Sequence, residues 1–146
     1  MNEQLKKIKQ EYIKHEMTNY QFYQYQIERI ERELVEIGDA LNDKRSPGSI
    51  IKISNRSVNV GGPNWIVSLL SDEQGLIAQK DVWQNKIKEI DRWLSLLPEN
   101  ECSLVRTYII KNRCKQAEKV AAAAGYTKDG LLKMIAKAIQ KIATIL

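Results

Sequence analysis

Cationic and polar side chains outnumber carboxylates near the end of this sequence. Past Lys111, the only acidic side chains are Glu118 and Asp129. Ammonium, guanidinium, amide and hydroxyl groups donate hydrogen bonds to anionic oxygens, and the phosphates of a nucleic acid are the usual acceptors for such a group. The pattern assigns this chemistry to Arg113, Lys115, Gln116, Lys119, Thr127, Lys128, Lys133 and Lys137. Asp129 completes the candidate set as a hydrogen-bond acceptor, since its carboxylate suits the amino group of cytosine.

The net charge of the chain lies entirely in its last third. Residues 1–98 carry 14 Lys and Arg against 14 Asp and Glu, whereas residues 99–146 carry 9 against 4, an excess of +5. A solvated helical face explains many charge runs, but packing does not require charge of one sign in one module. The segregation therefore indicates a polyanionic partner, with double-stranded DNA as the expected one.

The stretch "AAAAGYTKDG", residues 121–130, predicts the turn that would position these groups. Gly125 supplies a left-handed turn without a Cβ penalty, and the Thr127 hydroxyl caps the next helix. Ala121 is where two helices would cross, because only a small side chain fits there. Further expected contacts place Val120 and Ala124 on the inner face, Tyr126 closing the core from the loop, and Leu131 and Met134 pointing back toward Val120 and Ala124.

The second helix of this pair is expected over about residues 128–143. Its inner face would carry Leu131, Met134, Ile135, Ala138, Ile139 and Ile142, and its outer face Lys128, Asp129, Lys133, Lys137 and Lys141. The first residues of such a helix enter the major groove of DNA, so base contacts are expected from Thr127, Lys128, Asp129 and Lys133. Phosphate contacts are expected from Lys137 and Lys141, and from Arg113, Lys115, Gln116 and Lys119 around the start of the preceding helix. Gly130 is a misfit in a first helical turn, where it costs up to ~1 kcal/mol relative to Ala.

The fold class predicted for the whole chain is all-α, in two regions. Residues 98–146 form the basic module, whose first helix opens at "PENE" and turns Leu104, Val105, Tyr108 and Ile109 inward. Residues 1–97 form a long helical hairpin or a coiled coil, with helices over 3–42 and 65–97 and an irregular loop at about 43–64. "SIIKISNRSV" within that loop is a candidate short strand or hairpin arm.

Apolar residues at heptad spacing support the two long helices. The first seam is Tyr20, Tyr23, Ile27, Ile30, Leu34, Ile37 and Leu41, and the second is Ile66, Leu69, Leu76, Trp83, Ile87, Ile90, Leu94 and Leu97. Such stripes pack within one chain or between two copies, and both arrangements bury the same faces. The sequence therefore leaves a monomer and a homodimer open.

Catalysis, metal binding and membrane insertion are not expected. The only histidine, His15, lies between Lys14 and Glu16, and Gly61-Gly62 lacks the Lys and Ser partners of a phosphate-binding loop. Cys102 and Cys114 have no neighbours typical of a metal site and fit idle thiols in a reducing cytoplasm. No apolar run approaches the ~20 residues of a membrane span. We therefore expect no enzyme activity, cofactor or metal.

Residues 97–146, "LPENECSLVRTYIIKNRCKQAEKVAAAAGYTKDGLLKMIAKAIQKIATIL", resemble the C-terminal module of phage late-gene transcriptional activators of the ArpU and RinA type. The shared features are "LP" with acids opening a helix, Tyr108 near its end, the turn "VAAAAGYT", and "KAIQKIA". "NVGGPNW…SDEQ", residues 59–74, and the helical layout before the basic module are also similar. The resemblance implies a helix-turn-helix similar to sigma-factor region 4, activation of phage or prophage late genes, and bacterial RNA polymerase as a partner. The alternative is a phage small terminase subunit or another DNA-binding packaging protein, which the oligomeric state would distinguish.

Overall fold

The computed structural model describes residues 3–42, 50–53, 56–61 and 64–146 and is mostly helical. Its elements are α1 (Glu3–Thr18), α2 (Tyr20–Leu41), β1 (Ile50–Ile53), β2 (Arg56–Asn59), α3 (Trp65–Ser95), α4 (Glu99–Val105) with a π-helical continuation (Arg106–Lys111), α5 (Ala117–Ala124) and α6 (Lys128–Ala143). In this described part of the chain, no helix combines the length and the apolar character that a membrane crossing requires.

The chain divides into two compact units that differ from the predicted regions 1–97 and 98–146. One unit comprises residues 1–23 and 86–146, and the other comprises residues 24–85. The predicted boundary fails because α1, at the start of the chain, packs against α6 and the π-helical segment, which both lie near its end. The basic module therefore shares its core with the N-terminal helix.

A single helix over residues 3–42 is wrong, because the helix is interrupted at Asn19. The Thr18 hydroxyl donates to the carbonyl of Lys14 at 2.7 Å, and the Asn19 side-chain amide donates to the carbonyl of His15 at 3.0 Å. Side chains that bond back to a carbonyl four residues earlier compete with the helical backbone and bend it. The backbone bonding continues across this point, since the Asn19 N–H donates to the carbonyl of His15 at 3.2 Å and the Tyr23 N–H to the carbonyl of Asn19 at 3.0 Å, so the interruption is confined to one residue.

The unit of residues 24–85 contains an antiparallel β-hairpin between its helices. Ile50 pairs with Asn59 and Ile53 with Arg56, so the strand expected in "SIIKISNRSV" is present as a hairpin inside the predicted loop. Residues 43–49, 54–55 and 62–63 of that loop lie outside the described residues. One apolar cluster joins the hairpin to the end of α2 and the start of α3, and its buried members are Ile37, Ala40, Ile51, Ile53, Val60 and Leu69.

Most residues of the two predicted heptad seams are buried or half-buried. Every α2 seam residue from Tyr20 to Leu41 is buried or half-buried. In the second seam, the predicted burial of Ile66 is wrong, since this residue is 47% exposed, whereas Leu69 is fully buried. The side of α3 that packs against the hairpin cluster carries Trp65, Leu69 and Leu76, and Ile66 lies about a quarter turn around the helix from that side. Among the aromatics of "YQFYQY", Tyr20 and Tyr23 are buried and Phe22 and Tyr25 are exposed.

The unit of residues 1–23 and 86–146 has a continuous apolar core. Leu104, Val105, Tyr108 and Ile109 are buried, which confirms the predicted inner face of the helix that begins at Glu99. Both α4 and α5 pack against α6, and α1 packs along α6 as well. The fully buried side chains in this unit include Ile13, Met17, Val105, Ile109, Leu131 and Ile142.

A buried carboxylate in the same unit is satisfied by two partners. The Tyr23 hydroxyl donates a short hydrogen bond to Glu16, and the Lys86 ammonium lies 3.4 Å from the other Glu16 oxygen and 5.3 Å from the Tyr23 ring centroid. Burial, then the hydrogen bond to Glu16 and the Glu16 charge, raise the pKa of Tyr23 above its ordinary value. The cluster therefore holds a neutral phenol beside a paired carboxylate.

Candidate nucleic-acid interface

The turn between α5 and α6 has the backbone geometry that the sequence predicts. Gly125 adopts the left-handed conformation, with φ 81° and ψ 24°. Its N–H donates to the carbonyl of Ala122 at 3.2 Å, and the N–H of Tyr126 donates to the carbonyl of Ala121 at 2.7 Å. This pair of bonds is the Schellman motif, which satisfies the last carbonyls of a helix. The alanine run therefore ends at a defined C-terminal cap.

Helix α6 begins at a side-chain cap. Thr127 is extended, and its hydroxyl oxygen accepts a hydrogen bond from the N–H of Gly130 at 3.1 Å. The predicted cap is confirmed, and so are the helix limits at residues 128 and 143. The same contact gives a reason for the glycine. A Cβ added at Gly130 would lie 3.1 Å from the Thr127 hydroxyl oxygen, a tight approach for such a contact. Glycine at this position leaves the capping hydroxyl room to bind the backbone.

Packing across the turn confirms one part of the prediction and corrects another. Ala121 and Val120 are buried, and Leu131 opposite them is fully buried. Ala124, however, is exposed, and Tyr126 keeps 37% of its surface exposed rather than closing the core. Because the chain reverses at Gly125, the Tyr126 N–H points back to Ala121 while the ring remains at the surface. Met134, one helical turn beyond Leu131, is half-buried.

The segment before α5 is ordered by unusual backbone conformations. Arg113, Cys114 and Gln116 all have positive φ, at 53°, 64° and 60°. For residues other than glycine, each left-handed conformation costs about 1–2 kcal/mol. Compensating bonds come from Tyr108, whose carbonyl accepts from the N–H of Cys114 at 2.9 Å and whose hydroxyl donates to the carbonyl of Cys114 at 3.1 Å. The π-helical segment that carries Tyr108 therefore fixes the entry to α5.

The structure places every predicted contact residue at the surface. All are exposed, and the full set is Arg113, Lys115, Gln116, Lys119, Thr127, Lys128, Asp129, Lys133 and Lys137. Among the ion pairs between described residues, none involves these side chains. Their charges are therefore directed to solvent rather than neutralised by internal partners.

Two groups within this set are brought together. Gln116, Lys119 and Lys128 line one concavity, together with Ala117 and Glu118. The start of α5 thus adjoins the start of α6, although the sequence separates them by about three helical turns. Glu118 adds a carboxylate to the rim, so the concavity combines two ammonium groups, an amide and one negative charge.

Lys133 and Lys137 form the second group. They lie one helical turn apart on the exposed face of α6, opposite the buried Leu131, Ile135 and Ile142. Lys141 does not extend this row as an unpaired cation, because its ammonium lies 2.9 Å from a carboxylate oxygen of Glu101. The expectation that Lys141 is available to phosphates is therefore corrected.

Asp129 has a structural role beside its expected one. It lies in the first turn of α6, where a carboxylate is stabilised by the positive end of the helix dipole.

Sequence reasoning missed the approach of α1 to α6, where Gln140 shares a concavity with Lys6, Lys7 and Gln10. No local signal could have found it, since the contact joins residues more than a hundred positions apart.

The described part of the chain contains no cluster of three or more His, Cys, Asp or Glu side chains suited to a metal ion. Comparisons with protein-family models, curated proteins and solved structures give no match to this chain. The residues themselves therefore carry the functional argument.

Proposed function

We propose that this chain is a sequence-specific DNA-binding protein, in which α5, the turn at Gly125 and α6 act as a helix-turn-helix. The observation that carries the proposal is the capped start of α6. There Lys128, Asp129 and Lys133 are exposed on the first turns of a helix that begins at the Thr127 cap. The first residues of a recognition helix are the ones that reach base edges in the major groove.

The proposed contacts divide by chemistry. Lys128 and Lys133 suit the O6 and N7 acceptors of guanine, and Asp129 suits the amino group of cytosine. Lys137, together with Arg113, Lys115 and Lys119 before and at the start of α5, would bind phosphates and fix the register of the protein on the duplex. The position of Lys119 supports this division, since it lines one concavity with Lys128 in the first turn of α6.

Much of the affinity would come from counterion release and would depend on salt. Four phosphate contacts, from Arg113, Lys115, Lys119 and Lys137, predict a slope of about −3.6 for the logarithm of the binding constant against the logarithm of salt concentration. The solvent-exposed charges of these side chains support this estimate, because none has an ion-pair partner among the described residues.

The biological role we propose is activation of phage or prophage late genes together with bacterial RNA polymerase. It rests on the resemblance of residues 97–146 to activators of that class and is supported by the helix that begins at Glu99 and the capped turn before α6. In this role the long helices would position a partner, either polymerase or a second copy of the chain. Within residues 24–85, the 3.3 Å ion pair of Glu31 with Lys80 and the cluster of Ile37 with Leu69 support an antiparallel packing of α2 on α3.

The experiment begins with selection of bound duplexes from a random pool by the full chain. Lys128→Ala and Lys133→Ala should then bind the selected duplex more weakly, each by about 1–3 kcal/mol where the lysine contacts guanine, with the melting temperature nearly unchanged. Substitution of an exposed lysine changes the free energy of unfolding by only about ±0.5 kcal/mol. A nearly unchanged melting temperature therefore shows that weaker binding does not come from loss of the fold. Normal binding by both variants would overturn the assignment of α6 to the groove.

A further inference from the structure

Helix α1 lies beside α6 in the same compact unit. The Lys9 ammonium donates to the main-chain oxygen of Leu146 at 2.9 Å, and the two helices pack along each other. Near that contact is a concavity to which α6 contributes a single residue. Its lining consists of Glu3, Gln4, Lys6, Lys7, Gln10 and Gln140. Two ammonium groups and one carboxylate therefore adjoin the exposed side of α6.

Gln140 connects this concavity to the proposed DNA-binding face. Lys133, Lys137 and Gln140 follow one another at steps of four and three residues, so they lie on one face of α6, and all three are exposed. At 1.5 Å per residue, Gln140 is about 10 Å along the helix axis from Lys133. The cations of α1 thus lie beside the second half of the same helical face.

Lys6 and Lys7 are oriented together on α1. Both precede Gln10 by one helical turn, at four and three residues, and both are exposed. The carboxylates within one helical turn of these lysines are Glu3, which lines the same concavity, and Glu11, and no ion pair between described residues joins either of them to Lys6 or Lys7. Residues 3–10 carry three lysines against one glutamate. The balanced total charge of residues 1–98 therefore conceals a local surface of positive charge at the start of α1.

We propose that Lys6 and Lys7 bind the phosphate strand that borders the major groove occupied by α6. A helix with its side chains is about 10–12 Å across and fills a groove about 12 Å wide, so whatever lies beside the helix faces the flanking backbone. The inference rests on the proposed function. It extends the DNA-binding surface from the last third of the chain to the N-terminal helix.

The test compares three variants of the full chain, Lys6→Gln/Lys7→Gln, Lys14→Gln/Lys88→Gln and Lys137→Gln, with the wild type. The second variant removes the same two charges from exposed positions outside the α1–α6 concavity. Binding to a fluorescent duplex of random sequence is measured as a function of salt, because phosphate contacts do not depend on sequence. Far-ultraviolet circular dichroism checks that each variant is folded.

Loss of two phosphate contacts should lower the salt slope by about 1.8, at about 0.9 for each contact. When salt rises from about 50 to about 200 mM, the factor by which affinity falls should then be about twelve times larger for the wild type than for Lys6→Gln/Lys7→Gln. An equal change in Lys14→Gln/Lys88→Gln would show that only total charge matters and would overturn the inference. If the salt slope is unchanged in Lys6→Gln/Lys7→Gln but reduced in Lys137→Gln, the inference on Lys6 and Lys7 is overturned while the proposed function stands. A wild type that does not bind the duplex would overturn both proposals.

Discussion

Replacement of Ala121 by leucine tests the close approach of α5 and α6. Ala121 is 1% exposed, and its carbonyl accepts the N–H of Tyr126. A leucine adds three carbon atoms at a site with no solvent-facing exit, so the helices must separate or the side chain must leave its preferred rotamer. Overpacking of this kind costs about 1–3 kcal/mol. With a urea m-value of about 2 kcal/mol/M, the midpoint of unfolding should fall by about 0.5–1.5 M.

The alanine run supplies a matched control for this variant. Ala123 lies two residues further along the same helix and is exposed. Ala123→Leu makes the same chemical change without entering the crossing, and its effect should stay within about ±0.5 kcal/mol. Urea unfolding of both variants is followed by circular dichroism. If Ala121→Leu unfolds at the same urea concentration as Ala123→Leu, the helices do not meet at residue 121 and the reasoning on the turn fails.

Two further predictions concern single side chains. Thr127→Ala removes the acceptor of the Gly130 N–H and should cost about 1 kcal/mol in urea unfolding, whereas Thr127→Ser should retain most of the stability; equal losses would show that the hydroxyl does not cap α6. The raised pKa of Tyr23 stabilises the folded chain while the phenol is protonated, so this contribution is present below about pH 10 and is lost as the pH rises beyond it. The wild type should therefore lose more stability than Tyr23→Phe between about pH 9 and pH 11, and parallel losses would contradict the coupling of Tyr23 to Glu16.

The turn and α6 were predictable because their signals are local. Gly125 needs a left-handed conformation, Thr127 is a preferred cap, and the apolar residues from Leu131 to Ile142 follow the helical period. The surface position of Tyr126 was not predictable in the same way. Its aromatic side chain favours burial, but the two backbone bonds of the C-terminal cap decide where the ring lies.

The conformation before α5 has no sequence signal of its own. Positive φ favours glycine or asparagine, yet it occurs here at Arg113, Cys114 and Gln116. Bonds to Tyr108 in the π-helical segment hold it, so the tertiary context outweighs the local preference. The nine proposed contact residues are exposed, as expected from their polarity, but the backbone conformation around Arg113, Cys114 and Gln116 could not be predicted from the sequence.

Contacts between distant segments account for the remaining differences. The pairing of Lys141 with Glu101 spans 40 residues, and the packing of α1 on α6 spans most of the chain. A sequence pattern reports which face of a helix is apolar, not which other helix covers it. For this reason the sequence placed the cationic surface only in residues 113–141, with Lys141 included although it pairs with Glu101, and gave no role to Lys6 and Lys7.

Amide chemical-shift mapping of the isotope-labelled full chain during titration with its selected duplex tests the central claim most directly. The account predicts that the largest changes occur in residues 113–119 and 127–137, with residues 24–85 nearly unaffected. Changes that are largest in residues 24–85, or no changes at saturating DNA concentration, would contradict the assignment of α5 and α6 as the DNA-binding surface.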